Sequence, residues 1–218
     1  MKMGRPALKS ALMYFFFLLL CSLWCALPQA QAGDTGYQGG DPIVVPPDVA
    51  RFVPADTYPI ELEQGDLNAD NVPDYLLVFE SKVASASATD DDEHPRSLVI
   101  LIRMADGTLK QVKRNDKIVY CRTCGGMLGD PFQGIELLKN GFTVSLYGGS
   151  AWRWANSYSF KYSQRDKTWQ LVKAFESSFH ASDPEKTEDK TYVPPKDFGK
   201  IDIADFDPLA YLYKDKDN

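Results

Sequence analysis

Histidine is nearly missing from this chain: His94 and His180 are the only two in 218 residues. Both fall in polar, turn-rich segments, poor ground for a general base, and a zinc site on the cysteine pair beyond the N-terminal run would need two more ligands, for which these are the only histidines. Cysteine is as sparse, with Cys21 and Cys25 in an apolar N-terminal run and only Cys121 and Cys124 beyond it. No intact Gly-x-Ser-x-Gly occurs. Its nearest approach, Gly148-Gly149-Ser150-Ala151-Trp152, ends in Trp and sits in a β setting with no helix to follow. No glycine loop opens a helix to cradle phosphate, and no segment repeats an amphipathic pattern over three helical turns. Basic residues number 24 against 30 acidic ones, a net charge of −6. That balance argues against nucleic acid or an anionic membrane surface as partner. Thirty acidic residues always offer a carboxylate pair for glycoside hydrolysis, but none stands out. Glu61, Glu63, Glu80 and Glu136 lie on predicted strands, where a solvent-facing position is the ordinary expectation. The chain reads as non-enzymatic.

Residues 1–32 form a secretory signal peptide. Lys2, Arg5 and Lys9 precede the apolar run Ala11 to Leu27, and Ala30-Gln31-Ala32 places small residues at −3 and −1 of a cleavage site before Gly33. An uncleaved anchor is the competing reading, because the run approaches a spanning length. A lipoprotein reading of Cys21 or Cys25 fails on Leu20 and Trp24, where a small residue is wanted. The signal segment holds three of the 24 basic residues and none of the acidic ones, so the remainder carries 21 − 30 = −9. A periplasmic or secreted location follows, with no stable membrane insertion after cleavage. About 186 residues remain, enough for one domain with a real core.

Residues 33–50, rich in Gly, Pro and Asp, read as a flexible leader. Residues 51–218 read as a single all-β domain. Tyr58 to Glu63 alternates apolar and acidic residues, the period of a half-buried strand, whereas Tyr75 to Phe79 and Leu98 to Ile102 are continuously apolar and predict strands covered on both faces. Ala84 to Arg96 predicts an exposed acidic loop. Asp106-Gly107 predicts a hairpin into Thr108 to Val112, and Ile118 to Tyr120 starts a further strand. Asn140-Gly141 joins Ile135–Leu138 to Phe142–Leu146 in a hairpin expected to use a type I′ turn. Trp152, Trp154, Tyr158, Phe160 and Tyr162 share one parity, the pattern of a strand with one buried face. Trp169 to Phe175 follows, then a long loop from Ala181 to Lys200 and a short last strand near Ile201. Antiparallel hairpins in sequence are expected to build a sandwich, an open barrel or an irregular few-bladed propeller.

The most specific signal is Gly65-Asp66-Leu67-Asn68-Ala69-Asp70-Asn71-Val72-Pro73-Asp74, which runs directly into the apolar strand Tyr75 to Phe79. Side-chain oxygens fall at loop positions 1, 3, 5 and 9 (Asp66, Asn68, Asp70, Asp74), with the Val72 carbonyl available at position 7. Calcium takes six to eight oxygens at about 2.3–2.6 Å, and acceptors on alternate residues of a tight loop can surround one point. An EF-hand would carry Glu at position 12 before a helix; here position 12 is Leu77, within a strand. An Asx-rich turn without metal is the alternative.

Asp66-x-Asn68-x-Asp70-x-x-x-Asp74 resembles the calcium loop of FG-GAP and VCBS-type β repeats. The resemblance covers about 16 residues and implies a calcium site. The family usually has Gly at position 6, where the backbone turns left-handed; Asn71 stands there and tolerates that conformation better than most residues.

In an exported chain, Cys121 and Cys124 are most simply a short-range disulfide. A redox pair would want its first Cys at a helix N-terminus, whereas Val119-Tyr120 before and Gly125-Gly126 after are strand and turn residues. The segments Gly125 to Phe132 and Tyr147 to Trp154 are expected to lie near each other, with Tyr147, Ser150 and Arg153 as partner-contact candidates and the two tryptophans as core. Taken together, the signal peptide, calcium loop, Cys-x-x-Cys-Gly-Gly and Tyr-Gly-Gly-Ser-x-Trp-Arg-Trp resemble small exported bacterial β-proteins. The plan is also similar to that of calcium-binding periplasmic immunity proteins that inhibit peptidoglycan hydrolases. That similarity implies a basic cell-wall hydrolase as partner, steered by an acidic surface. A secreted hydrolase and an envelope structural or adhesion module are the alternative roles.

Overall fold

A computed structural model describes residues 43–82 and 96–213, all within one compact unit. The signal segment, most of the leader and most of the 84–96 loop, with His94, lie outside the described residues. Nine strands form two antiparallel sheets, each in sequential order. The first holds β1 (Thr57–Gly65), β2 (Asp74–Ser81), β3 (Arg96–Arg103) and β4 (Leu109–Val119). The second holds β5 (Phe132–Leu138), β6 (Gly141–Gly149), β7 (Trp152–Ser163), β8 (Thr168–His180) and β9 (Thr187–Tyr192). They pack as an open sandwich, which decides among the three all-β architectures expected from the sequence. Among the described residues no helix is long and apolar enough to cross a membrane.

The even residues Leu76, Val78, Leu98 and Ile100 of β2 and β3 meet Phe142, Val144, Leu146, Tyr158 and Phe160 of the second sheet in the main core. The odd residues Tyr75, Leu77, Phe79, Val99 and Leu101 form a second cluster on the other face of the first sheet. Both strands are therefore covered twice, as their unbroken apolar runs predict. The cover on the second face comes from the end of the expected leader. Helix α1 (Pro47–Ala50) has Pro at its first position, where no N–H is missed, and buries Val49 completely. Val45, Phe52 and Val53 pack beside it. Asp48 pairs with Arg103 at 2.8 Å and Arg51 donates to the Leu109 carbonyl at 2.8 Å. Residues 43–50 thus belong to the domain: a covered sheet face needs this apolar strip, and burying one Val is worth about 1.5–3 kcal/mol.

Other departures follow from long-range pairing. The two expected strands after Gly107 are one strand, β4, whose register shifts against β3 twice. Asn115 at the irregularity is buried and donates to the Ile203 and Phe206 carbonyls at 2.6 and 2.7 Å. The expected loop 181–200 contains β9, an exposed edge strand with no apolar alternation to betray it. The predicted last strand is a single bridge, Gln170 to Asp202, after which Ile203 and Phe206 enter the core and helix α2 (Pro208–Tyr213) follows. At the β5–β6 turn only Asn140 is left-handed, with φ 58°. Gly141 already pairs as strand, so the two left-handed residues of a type I′ turn are not present.

Candidate metal centre and partner surface

The loop between β1 and β2 is built by its own carboxylates. Asp66 Oδ1 accepts the Ala69 and Asp70 amides at 2.8 and 3.2 Å, and its Oδ2 accepts the Asn71 amide at 3.0 Å. Asp70 Oδ1 accepts the Val72 amide at 2.8 Å. Such Asx contacts bend the backbone back on itself, and the bend takes two residues left-handed: Asn71 at φ 64°, as expected, and Ala69 at φ 66°. An L-residue with a Cβ pays roughly 1–2 kcal/mol in that region.

The loop is also held from outside. Leu67 is buried in the main core, and its carbonyl accepts the Trp169 indole N–H of β8 at 2.8 Å. Gln164 donates to the Asn68 carbonyl at 3.0 Å. Asp74, wholly buried at the start of β2, accepts the Leu67 amide at 3.1 Å and the Arg103 amide of β3 at 2.9 Å. One loop is thereby tied to both sheets.

Carboxylate oxygens of Asp66, Asp70 and Asp74 all lie within 4.8 Å of one another, a group able to hold a metal ion. Two oxygens each about 2.4 Å from one calcium can be at most about 4.8 Å apart, so the spacing matches the span of such a shell. Every donor in the group is an oxygen, which suits a hard cation. Burial, with the charges of Asp70 and Asp66 added, pushes the Asp74 carboxyl up to about 6 against the pull of the two amides. A cation among the three carboxylates would offset that cost. The other two expected ligands are on the same loop, the Asn68 side chain being engaged with Asp70. Asn68 Oδ1 accepts the Asp70 amide at 3.0 Å and its Nδ2 donates to Asp70 Oδ2 at 2.9 Å, while Val72 supplies its N–H to Asp70.

A second charged centre is one that sequence reasoning missed. Glu80 and Arg96, expected on a solvent face and in an exposed loop, are each 1% exposed. Arg96 Nε donates to Glu80 Oε2 at 2.9 Å, and its two Nη atoms reach the two oxygens of Asp130 at 2.7 and 2.5 Å. Arg122 Nε donates to Glu80 Oε1 at 3.2 Å and Arg122 also donates to the Tyr58 hydroxyl. Two guanidiniums thus balance two carboxylates. A hint existed: Glu80 directly continues the run Tyr75 to Phe79 that is covered on both faces, so it has nowhere solvated to point.

Asp130 is how this centre grips the segment after the cysteines. Cys121 and Cys124 stand as a disulfide with Cα atoms 5.1 Å apart, followed by a 3-10 turn, Gly126–Leu128. The expected neighbourhood of the two glycine-rich segments is found. Gly149 donates to the Gly125 carbonyl at 2.9 Å and Tyr147 to the Pro131 carbonyl at 2.8 Å. Tyr147 faces Ala155, and Arg153 faces Gly149 across β6 and β7, so both side chains belong to the outer face of the second sheet. Ser150 is exposed at the turn and its amide donates to the Trp152 carbonyl at 2.9 Å. The expected parity of β7 holds, but Trp152 is 62% exposed rather than core. Its face is the inner one; the strand simply runs past the end of the sandwich. Comparison of the chain with protein-family models, with curated proteins and with solved structures returned no match.

Proposed function

We propose that this chain is an exported, calcium-stabilised binding protein without catalytic activity of its own, and that its partner is a basic cell-wall hydrolase that it inhibits. The converged Asp66, Asp70 and Asp74 carboxylates carry the calcium part. A three-carboxylate, all-oxygen loop on a hairpin suits calcium at extracellular-type affinity, roughly 0.1–1 mM. The ion acts structurally, neutralising charge ahead of β2 and so fixing a loop that both sheets grip.

The partner surface is the joined pair of glycine-rich segments with Tyr147, Ser150 and Arg153 beside them. Tyr and Arg anchor interfaces, backbone exposed at glycines admits close approach, and a chain of net charge −6 is steered towards a basic enzyme. The resemblance to calcium-binding immunity proteins supports the same reading, as does the signal segment for export.

The test is inhibition of muramidase activity on purified peptidoglycan, with wild type, Tyr147→Ala and Arg153→Ala, each with calcium and with chelator. Loss of inhibition in either variant, at unchanged melting temperature, is expected. Turnover of peptidoglycan by this protein alone would replace the reading with a hydrolase, and binding to the envelope without inhibition would replace it with a structural or adhesion module.

A further inference from the structure

We infer that the inner face of the second sheet, where it overruns the sandwich, is a binding shelf for a neutral glycan chain. Strand register places three rows of side chains there. Trp152 is opposite His180; Trp154 is opposite Ser178, which is opposite Glu188; Asn156 is opposite Glu176, which is opposite Lys190. The next row inward is Tyr158, Ala174 and Tyr192, which belongs to or packs against the core. Along one face of one strand the environment passes from open at Trp152 (62% exposed), through half-buried Trp154, to fully buried Tyr158.

Each row has a role. His180 meets the Trp152 ring edge-on, with centroids 5.2 Å apart and planes at 79°, so the exposed indole has a defined plane. Trp154 lies flat over Gly148: a Cβ there would stand 2.4 Å from the indole, so only glycine admits the ring. Tyr120, which follows β4, stands beside it with ring centroids 6.1 Å apart and planes tilted by 59°. Beside and beyond the rings come the Asn156 amide, the Ser178 hydroxyl, the Glu176 and Glu188 carboxylates and the Lys190 ammonium group. At the deep end the buried Tyr158 hydroxyl has Tyr120, Glu176 and Asn156 as polar neighbours and no hydrogen bond of good geometry.

The pattern of apolar plate followed by hydrogen-bonding edge selects the ligand. A pyranose ring has an apolar C–H face, which the negative face of an indole attracts, and a rim of hydroxyls that both donate and accept. Two residues of strand advance about 6.8 Å, so Trp152 to Asn156 spans about 13 Å, room for two or three sugar rings of about 5 Å. Glu176 and Glu188 against Lys190 leave the three rows with one net negative charge, which disfavours an anionic lipid or an acidic glycan, while carboxylates readily accept from sugar hydroxyls. This shelf is on the opposite face of β7 from Tyr147 and Arg153, and it does not depend on the inhibitor reading.

The experiment is titration of the purified chain with chitotetraose and with cellotetraose, read by tryptophan fluorescence and by indole N–H NMR signals. Saturable shifts of the Trp152 and Trp154 signals with at least one sugar are expected. Trp152→Ala should weaken binding tenfold or more and Asn156→Ala severalfold, while Tyr147→Ala and Arg153→Ala leave it unchanged. Trp152 is largely exposed, so its variant should melt like the wild type; Trp152→Tyr, which restores a plate, should recover part of the affinity. No saturable shift with either sugar, or shifts that survive Trp152→Ala, would overturn the proposal. A Trp152-dependent dimer in sedimentation would also overturn it, since the plate would then serve a second copy.

Discussion

Two places among the described residues gather carboxylates, and they solve the same electrostatic problem differently. In the β1–β2 loop, Asp66, Asp70 and Asp74 converge with backbone amides and the Asn68 amide as their partners. At the other place, Glu80 and Asp130 meet Arg96 and Arg122 from the chain itself. A covalently supplied cation is always present, so that centre holds whatever the solution contains. A carboxylate loop without one has to draw its positive charge from outside the chain, so under the proposed calcium site folding answers to an external ion.

The sharpest way to break that contrast is Arg96→Met. It leaves fully buried Glu80 with Arg122 alone to balance it and releases Asp130, with an expected loss of about 3 kcal/mol, measured by denaturant unfolding and equal with or without calcium. A loss that calcium could reverse would mean the two centres are one coupled unit. Next in size is removal of the ion. For a dissociation constant of about 0.1 mM, 10 mM calcium stabilises by about 2.7 kcal/mol, so chelation should lower the melting temperature of the wild type. The double variant Asp66→Ala with Asp70→Ala should show no response. A wild type whose melting ignores calcium removes the metal reading entirely.

Reduction of the Cys121–Cys124 disulfide comes third. Its small loop is worth about 2 kcal/mol in the chain-entropy model, and the Arg96–Asp130 contact should keep the segment seated, so hydrogen exchange should rise locally rather than across the sheet. Smallest is Ala69→Gly. Glycine removes the strain of the left-handed residue at φ 66° but adds freedom to the unfolded chain, leaving a net gain of about 0.5 kcal/mol. The gain should be present in both the calcium-bound and chelated forms; confinement to one of them would show that the ion changes the loop backbone.

Much of the fold was legible. Alternation in Tyr58 to Glu63 and Trp154 to Tyr162, and the unbroken runs Tyr75 to Phe79 and Leu98 to Ile102, announce strands with one or two covered faces. The acidic loop was legible for a related reason, since its carboxylates are close in sequence and its turns are made by neighbouring Asx side chains. What escaped notice was carried by residues without a local signature. β9 is polar except for its last residue, Tyr192, and is a strand only because β8 offers it an edge. Residues 45–50 look like linker until a bare apolar face is there to receive Val49.

Periodicity and spacing act over a few residues, so the chain by itself determined that there would be paired strands, an Asx-built acidic loop and a pinned glycine-rich segment. Which charges would be buried together, and which tryptophan would stay in the open, depended on where the sheets end and on contacts such as Arg96 with Asp130, 34 residues apart. Only packing decides that, because burial is a property of the surroundings a residue ends up in and not of its neighbours along the chain.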